Sequence, residues 1–437
     1  MKPKVLIYVH DFGPLHDQIL EFAPFLLFTG HSGLGKSYAN YLIYYLMRSL
    51  STESWYGIIG KKIQKNKSAE FDLSILEVLG YLNEHVQDFM RSFLGDYELI
   101  CNVEYRLEYE DKAFSPILKI EYIQSRAAVK GEGIEAFQYI SLLIKVNGEE
   151  FRNIAIDDEP IIKQSHVGRA ISLYLQDLIF GKRYSKSVLL PPARGALVGE
   201  NYSMKDAVTS SCKMYDYFLR DYDEATRIFR PFRRNEEDNS FFTNRVKDLL
   251  HGELVSEKGI QYLLLPNNRR IPLTSAASSV KELSPFLFYL KNWSDWIFSF
   301  CIEEPEAHLH PTMQLDLADL LAACCNKGMM FQMTTHSDYF LLRINQLLRI
   351  GKLKKENVEL YKEFQETNKL NRRFYLNEED VLCYYFTLDT AGNVQVTKLP
   401  FENGVLPMNT FYSSMNQLDD FDRKLDNEFE ELYGLEK

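Results

Sequence analysis

Two runs of apolar residues near the start of the chain predict buried strands. Residues 5–9 are apolar and β-prone, and residues 25–29 form the continuous apolar run that is typical of a strand buried on both faces. Residues 36–50 predict a helix, because their apolar side chains recur every three to four positions. The opening of the chain therefore predicts two strands, a glycine-rich loop after the second, and a helix.

Further along, strand-like and helical stretches alternate. Residues from about 160 to 251 are mainly helical in pattern, and an acidic helix is predicted at 419–433. Asn147-Gly148 is a strong hairpin signal. No heptad run is sustained, so the sequence predicts no long coiled coil. Strands are predicted at 100–108, 117–123, 137–146, 187–190, 261–265, 296–302, 329–333, 381–388 and 394–399.

Composition narrows the class of protein. A chain of 437 residues predicts two compact units, or one head with a large inserted lobe. The net charge of −11 argues against a general polyanion binder. Six cysteines without C-x-x-C spacing favour a reduced, cytoplasmic protein. We also expect no signal peptide and no membrane span, since no stretch reaches about 18 apolar residues.

The loop after the second strand carries the pattern G-x-x-x-x-G-K-[ST], between a buried strand and an amphipathic helix. Glycines let backbone N–H groups converge on phosphate oxygens, and the helix N-terminus adds the positive end of its dipole. Lys36 is expected to bridge the β- and γ-phosphates of ATP, and Ser37 to bind Mg²⁺. The plainer alternative is a glycine turn without a ligand. The predicted phosphate-binding residues are Gly30, His31, Ser32, Gly33, Leu34, Gly35, Lys36 and Ser37.

Two adjacent carboxylates, Glu303 and Glu304, end the predicted strand at 296–302. Carboxylates at the carboxyl end of a buried strand lie at the site edge of an α/β sheet. The first can hold Mg²⁺, and the second can orient and deprotonate an attacking water. One alternative is a solvated acidic strand end. Another is a zinc site from Glu304, His308 and His310, which the prolines in this stretch disfavour.

His336 follows the predicted strand at 329–333. A single histidine after a strand is usually a satisfied polar residue. Beside a phosphate loop and a Glu-Glu strand end, a role at the same site becomes the better interpretation. We therefore group His336 with Glu304 as a catalytic candidate.

These motifs together resemble the ABC-type ATPase heads of the RecF/SMC/OLD superfamily. The resemblance rests on residues 30–37, on IEEPEAHLHP at 302–311 and on 335–337, and it extends to 190–194 and to the strands after Asp380. The phrase EEPEAHLHP is particularly similar to the stand-alone ATPases of anti-phage systems, such as PtuA of Septu and AriA of PARIS. The resemblance implies an α/β head with a mixed phosphate-loop sheet, an antiparallel β lobe and a helical insertion.

The resemblance also implies roles for individual residues. Glu303 takes the Walker B position, Glu304 is the catalytic carboxylate, residues 307–311 form the D-loop, and His336 is the switch histidine. Residues 275–283 occupy the place of the signature loop. That loop caps the ATP of a partner head in a head-to-head sandwich, through Ser278 and Ser279. Val280 stands where a glycine is usual, which implies slow or partner-dependent hydrolysis. Gln124 is a weak candidate for the Q-loop.

The chain is therefore predicted to divide into three parts. Residues 1–155 hold the phosphate loop and the β lobe, 156–270 form the helical insertion, and 271–437 hold the remaining ATPase motifs. A homodimer or larger homo-oligomer is implied. The expected function is an ATP-driven, Mg²⁺-dependent sensor that controls a separate nuclease or toxin effector in phage defence.

Two other functions remain open from sequence. A RecF-like repair ATPase would be stimulated by duplex DNA, with affinity falling steeply as salt rises. A degenerate scaffold would bind ATP without turnover. Two basic stretches could contact DNA, although a solvated charged surface is the simpler interpretation, as it is for the acidic run at 419–422. The basic residues are Arg227, Arg230, Arg233, Arg234, Lys61, Lys62, Lys65 and Lys67.

Overall fold

The computed structural model describes most of the chain. The described residues are 3–51, 56–63, 68–110, 116–131, 134–155, 160–199, 212–227, 236–257, 259–292, 296–402, 404–407, 416–426 and 428. Within these residues, strands and helices alternate in an α/β arrangement. The strands are β1 Lys4–Phe12, β2 Leu15–Glu21, β3 Phe25–Gly30, β4 Ser68–Ser74, β5 Cys101–Glu108, β6 Ile117–Gly131, β7 Ile134–Val146, β8 Glu149–Ala155, β9 Lys186–Leu190, β10 Glu253–Glu257, β11 Ile260–Leu264, β12 Arg270–Pro272, β13 Phe298–Glu303, β14 Met330–Thr334, β15 Val381–Leu388 and β16 Val394–Lys398.

The helices lie mostly between strands, as parallel pairing requires. Short 3₁₀ turns at Leu273–Ser275 and Glu378–Asp380 precede α8 and β15 respectively. The helices are α1 Lys36–Ser51, α2 Tyr56–Lys62, α3 Ile75–Leu94, α4 Pro160–Phe180, α5 Arg194–Gly199, α6 Lys213–Thr226, α7 Glu236–Leu250, α8 Ser278–Asn292, α9 Pro311–Asn326, α10 Asp338–Glu356, α11 Val358–Thr367 and α12, residues 416–426.

A six-stranded sheet with the order β16-β15-β3-β14-β13-β9 forms the centre of the fold. Five neighbouring strands are parallel, and β16 pairs antiparallel with β15 at one edge. The strands β13 and β14 are buried along their whole length, as expected when helices cover both faces of a parallel sheet. The carboxyl ends of β3, β13 and β14 therefore meet at one edge of the sheet.

The alternation of side chains along β3 divides the core into two layers. Phe25 and Leu27 join the cluster beneath α8, α9 and α10, whereas Leu26 and Phe28 join the cluster beneath α1, α3 and α4. Side chains of α1, for example Leu42, are fully buried in this second layer. Helices on both faces thus fix the strand that leads into the phosphate loop.

Three antiparallel sheets flank this centre. Their orders are β2-β1-β5, β4-β6-β7-β8 and β10-β11-β12. The hairpin between β7 and β8 turns at Asn147 and Gly148, both with positive φ, as the sequence predicted. The predicted mixed α/β sheet with additional antiparallel β structure is confirmed, and no long coiled coil occurs among the described residues.

The structure adds elements that the sequence analysis did not predict. The strand β2 carries polar residues that obscured its pattern, and α3, a 20-residue helix, follows β4. The described residues between 160 and 251 are mainly helical as predicted, but strand β9 belongs to the central sheet. The division at 155 and 270 stays a prediction. In the described part of the chain, no helix is long and apolar enough to cross a membrane.

The charged stretches are only partly described. Arg227 forms an i,i+4 ion pair with Asp223, which supports a solvated charged surface. Lys62 pairs with Glu77, while Arg230, Arg233, Arg234, Lys65 and Lys67 lie outside the described residues. The acidic run at 419–422 is exposed on α12.

Candidate nucleotide site

The phosphate loop joins the end of β3 to the start of α1. Gly30, Gly33 and Gly35 have φ of 113°, 76° and 92°, in the left-handed region that disfavours other residues. A Cβ on Gly30 would lie 2.2 Å from the carbonyl oxygen of Phe386, which also accepts a hydrogen bond from the His31 N–H at 3.0 Å. The neighbouring strand β15 therefore holds the loop in place at its first glycine.

The far side of the loop leaves room for an anion. A Cβ on Gly35 would press against Pro14 and Leu15, whereas a Cβ on Gly33 would meet nothing within 4 Å. Pro14 and Leu15 thus pack against the loop at Gly35, whereas the loop is open at Gly33. The open part of the loop, together with the N-terminus of α1, suits the phosphates of ATP.

Lys36 folds back over the loop. Its Nζ donates to the carbonyl oxygens of Gly30 at 3.1 Å and His31 at 2.6 Å. Burial lowers the pKa of Lys36, and the carboxylates of Glu304 and Glu303 partly offset this effect. The ammonium therefore lies against the backbone of the loop, and both carboxylates contribute negative charge at its position.

Glu303 lies at the end of β13 and is 2% exposed. Its carboxylate accepts hydrogen bonds from Ser37 Oγ at 2.5 Å, Asn40 Nδ2 at 2.8 Å and Thr334 Oγ1 at 2.9 Å. Burial raises the pKa of Glu303, and these three hydrogen bonds oppose that rise. The structure therefore brings together the two residues predicted to bind Mg²⁺.

The donor set at Glu303 fits Mg²⁺. A hydroxyl and a carboxylate are hard oxygen ligands, which Mg²⁺ prefers, and it commonly keeps several waters. Asn40 Oδ1 is buried nearby and has no hydrogen-bond partner among the described residues, so it is suited to accept from a metal-bound water. The sequence analysis did not single out Asn40 or Thr334, although Asn40 lies one helical turn after Ser37.

Glu304 differs from its neighbour in both burial and backbone conformation. Its side chain is exposed, and its φ of 46° lies in the left-handed region. Such a conformation costs about 1–3 kcal/mol for a residue other than glycine, and it tends to occur at functional sites. Its N–H donates to the backbone and hydroxyl oxygens of Thr334, both at 3.2 Å. The strand end thus turns one carboxylate inward and the next toward solvent.

His336 is exposed after β14, near the same cluster. Burial lowers the pKa of His336, Lys36 lowers it further, and Glu304 acts in the opposite direction. The charges of Lys36 and Glu304 thus both act on the imidazole. The grouping of Lys36, Glu304 and His336 at one site stays a prediction.

This grouping makes a prediction for the titration of His336. In the free protein its pKa should lie below the usual 6.5, so the imidazole is neutral at pH 7. Lys36→Met removes a positive charge and should raise the pKa, whereas Glu304→Gln removes a negative charge and should lower it. NMR titration of ¹³C-labelled histidines measures both shifts, with the other histidines as internal references. A His336 titration unmoved by either substitution would disprove their proximity.

Glu306 holds the loop that carries His336. Its Oε1 accepts hydrogen bonds from Thr335 Oγ1 at 2.7 Å, from the His336 N–H at 2.7 Å and from the Ser337 N–H at 3.2 Å. Burial raises the pKa of Glu306, and the bonds from Thr335 and His336 oppose this. This carboxylate was not assigned a role from sequence.

The signature candidates lie at the start of α8. Ser278 is exposed and Ser279 is half-buried, and within the described ranges neither forms a hydrogen bond to the phosphate loop of its own chain. Val280 is 8% exposed and packs in the core beneath α8. The valine therefore has a packing role that a glycine would not fill.

The remaining candidates are Gln124 and the histidines of the zinc alternative. Gln124 pairs with Leu142 in the middle of β6, in a different sheet from the phosphate loop. His310 caps α9 and bonds Thr312. Across the described residues, no group of three His, Cys, Asp or Glu side chains is arranged to hold a metal, so the zinc alternative finds no support.

The comparison with protein families concerns the second half of this site. Residues 201–341 match a family model described as an AAA ATPase domain. That segment includes Glu303, Glu304 and His336, while the phosphate loop precedes it. The hydrogen bond between Ser37 and Glu303 joins this segment to the phosphate loop, and the two parts together support an ATP-binding ATPase.

Comparison with solved structures finds SMC head domains. One, bound to the C-winged helix domain of ScpA, is 13% identical with a TM-score of 0.38, over 92% of this chain and 99% of that chain. The SMC head domain from Thermotoga maritima is 12% identical with a TM-score of 0.34, over 92% and 100%. A third, an Smc head with an extended coiled coil, bound to the C-terminal domain of ScpA derived from Pyrococcus furiosus, is 12% identical with a TM-score of 0.36, over 96% and 99%. No curated protein matches the chain by sequence.

Proposed function

We propose that the chain is a cytoplasmic regulatory ATPase whose heads close on ATP and reopen on hydrolysis, and that this cycle controls a separate nuclease or toxin in phage defence. The observation that carries the ATPase part is the contact of Ser37 with Glu303, beside the exposed Glu304. The defence role rests on the resemblance of residues 302–311 to anti-phage ATPases.

The phosphate loop binds and positions the nucleotide. Its backbone N–H groups and Lys36 hold the phosphates, and Ser37 with Glu303 would hold Mg²⁺. When bound, Mg²⁺ neutralises charge that develops on the phosphate oxygens. Lys36 exchanges its bonds to the Gly30 and His31 carbonyls for bonds to phosphate oxygens, in which the acceptor as well as the donor is charged.

Glu304 is proposed as the general base. Its carboxylate is exposed beside Glu303, and the bonds from its N–H to Thr334 fix its backbone. There it orients a water for attack on the γ-phosphorus and accepts a proton as the new P–O bond forms and ADP leaves. His336, neutral near pH 7, hydrogen-bonds the γ-phosphate.

The second half of the proposed site comes from a partner head. Ser278 begins α8 and is exposed, so its hydroxyl and the helix N-terminus are available to a phosphate outside this chain. In a head-to-head dimer these groups cap the ATP of the partner, and each head supplies both halves. Such an arrangement makes hydrolysis depend on assembly.

A mixing experiment tests this division between chains. Ser278→Arg blocks capping of the partner's ATP but leaves its own phosphate loop intact. Lys36→Ala disables the phosphate loop but leaves the capping residues intact. Each variant assayed alone is a matched control and should be nearly inactive. In a mixed dimer, the loop of the first meets the cap of the second at one of the two sites, so random pairing should restore at most roughly a quarter of wild-type phosphate release. A mixture no more active than its components would overturn the proposal.

A further inference from the structure

A buried arginine connects the two functional ends of the head. Arg194 starts α5, directly after a turn at Ala193, whose φ is 55°, and it is 2% exposed. Taking a guanidinium out of water is costly unless its donors are satisfied and its charge is balanced. Its environment should therefore supply both acceptors and negative charge.

The acceptors of Arg194 come from three segments of the chain. Nη1 donates to the carbonyl oxygens of Glu303 at 2.7 Å and Pro191 at 3.2 Å, and Nη2 donates to that of Glu304 at 3.3 Å. Nε donates to the carbonyl oxygen of Glu282 at 2.9 Å and lies 3.4 Å from its Oε2. The Arg194 side chain thus donates hydrogen bonds to Glu303 and Glu304 at the end of β13 and to Glu282 in α8.

Glu282 completes the connection. It is 4% exposed, and its Oε1 accepts a hydrogen bond from the Gly195 N–H at 3.0 Å. A Cβ on Gly195 would lie 2.7 Å from that oxygen, so the close approach depends on glycine. Ser278 and Ser279 lie one helical turn before Glu282 on the same helix.

We infer that Arg194 is a positioning residue that couples the two ATP sites of the proposed dimer. When Ser278 and Ser279 cap the partner's ATP, α8 is fixed, and Arg194 transmits that position to the backbone of Glu304 in its own site. Occupancy of one site then accelerates hydrolysis in the other. This inference rests on the proposed function and adds the regulation of that same site.

The first test is the ATP dependence of phosphate release in the full-length protein. Wild type should be cooperative, with a Hill coefficient above 1 and at most about 2 for two sites. Arg194→Lys keeps the charge but cannot bond all the carbonyls at once. It should reduce the Hill coefficient to about 1 and kcat about 10- to 100-fold, with little change in ATP affinity. A structural defect alone would not selectively remove cooperativity.

A double variant guards against misfolding. Arg194→Met with Glu282→Gln removes both buried charges, so neither is left unpaired, and it should also lose cooperativity. The matched control is Arg343→Met with Asp319→Asn, another arginine–carboxylate pair, with bonds of 2.7 and 2.9 Å between α9 and α10. The control should stay cooperative.

The outcomes separate the two ideas. The coupling alone is overturned if the wild-type protein forms ATP-dependent dimers and hydrolyses ATP cooperatively, and both Arg194 variants are still cooperative. It is also overturned if wild-type dimers hydrolyse ATP with a Hill coefficient of 1. Absence of ATP-dependent dimers or of hydrolysis in wild type overturns the proposed function, and the coupling with it.

Discussion

Lys36→Ala is expected to weaken ATP binding about 100-fold without unfolding the protein. Charge-assisted hydrogen bonds are worth about 1.5–3 kcal/mol each, and each 1.4 kcal/mol changes an affinity tenfold. The only described hydrogen bonds of the Lys36 ammonium are to two carbonyls of its own loop, so the fold does not depend on them. Isothermal titration with ATP and Mg²⁺ measures the loss.

The matched control for this substitution is Lys398→Ala. Lys398 lies on β16, at the edge of the same sheet, and its side chain is 42% exposed. Its Nζ donates to Glu21 Oε2 at 2.8 Å. Its removal should leave ATP affinity within about twofold of wild type, since surface ion pairs contribute little. Equal affinities in folded Lys36→Ala and wild type would show that the loop does not bind phosphate through this lysine.

Glu304→Gln is expected to reduce kcat about 10²- to 10⁴-fold, the usual contribution of a general base. Glutamine keeps the backbone bonds to Thr334 and Arg194 and nearly the same volume, but it cannot accept the proton. ATP affinity should therefore be retained, and closed dimers should accumulate. Steady-state phosphate release measures kcat, with Glu359→Gln, exposed on α11, as the control. Turnover at the wild-type rate would remove Glu304 from the proposed role.

Much of this site could be predicted from sequence because its signals are local. The glycines, lysine and serine of the loop lie within eight residues, and Glu303, Glu304 and His336 each lie within three residues of the end of a predicted buried strand. Parallel strands bring their carboxyl ends to one edge, so three separate motifs predict one cluster. Each of the six strands of the central sheet was predicted from an apolar pattern, whereas their assembly into one mixed sheet was implied by the resemblance.

Contacts between distant segments could not be predicted in this way. Arg194 meets Glu282 across 88 positions, and Thr334 meets Glu303 across 31. No periodicity specifies such pairs, which depend on how the strands and α8 are placed. The burial of Val280 likewise depends on packing beneath α8, not on the local pattern of the signature stretch.

One missed element did have a local signal. Helix α3 begins with a capping box, in which the Ser74 hydroxyl accepts from the Glu77 N–H at 3.1 Å and the Glu77 carboxylate accepts from the Ser74 N–H at 2.8 Å. Serine followed three residues later by glutamate, before apolar residues at helical spacing, predicts this helix start. The strand β2 had no such signal, because polar residues occupy much of its length.

The nucleotide bound to Glu304→Gln after incubation with ATP and Mg²⁺ tests the central claim most directly. The protein is passed through gel filtration with mass measurement, the peak is quenched in acid, and its nucleotides are separated by ion exchange. We predict a dimer that retains one unhydrolysed ATP per chain, while wild type returns to its ATP-free assembly state with ADP as product. Accumulation of ADP at the wild-type rate, or ATP held only by monomers, would contradict an ATP-closed head reopened by Glu304.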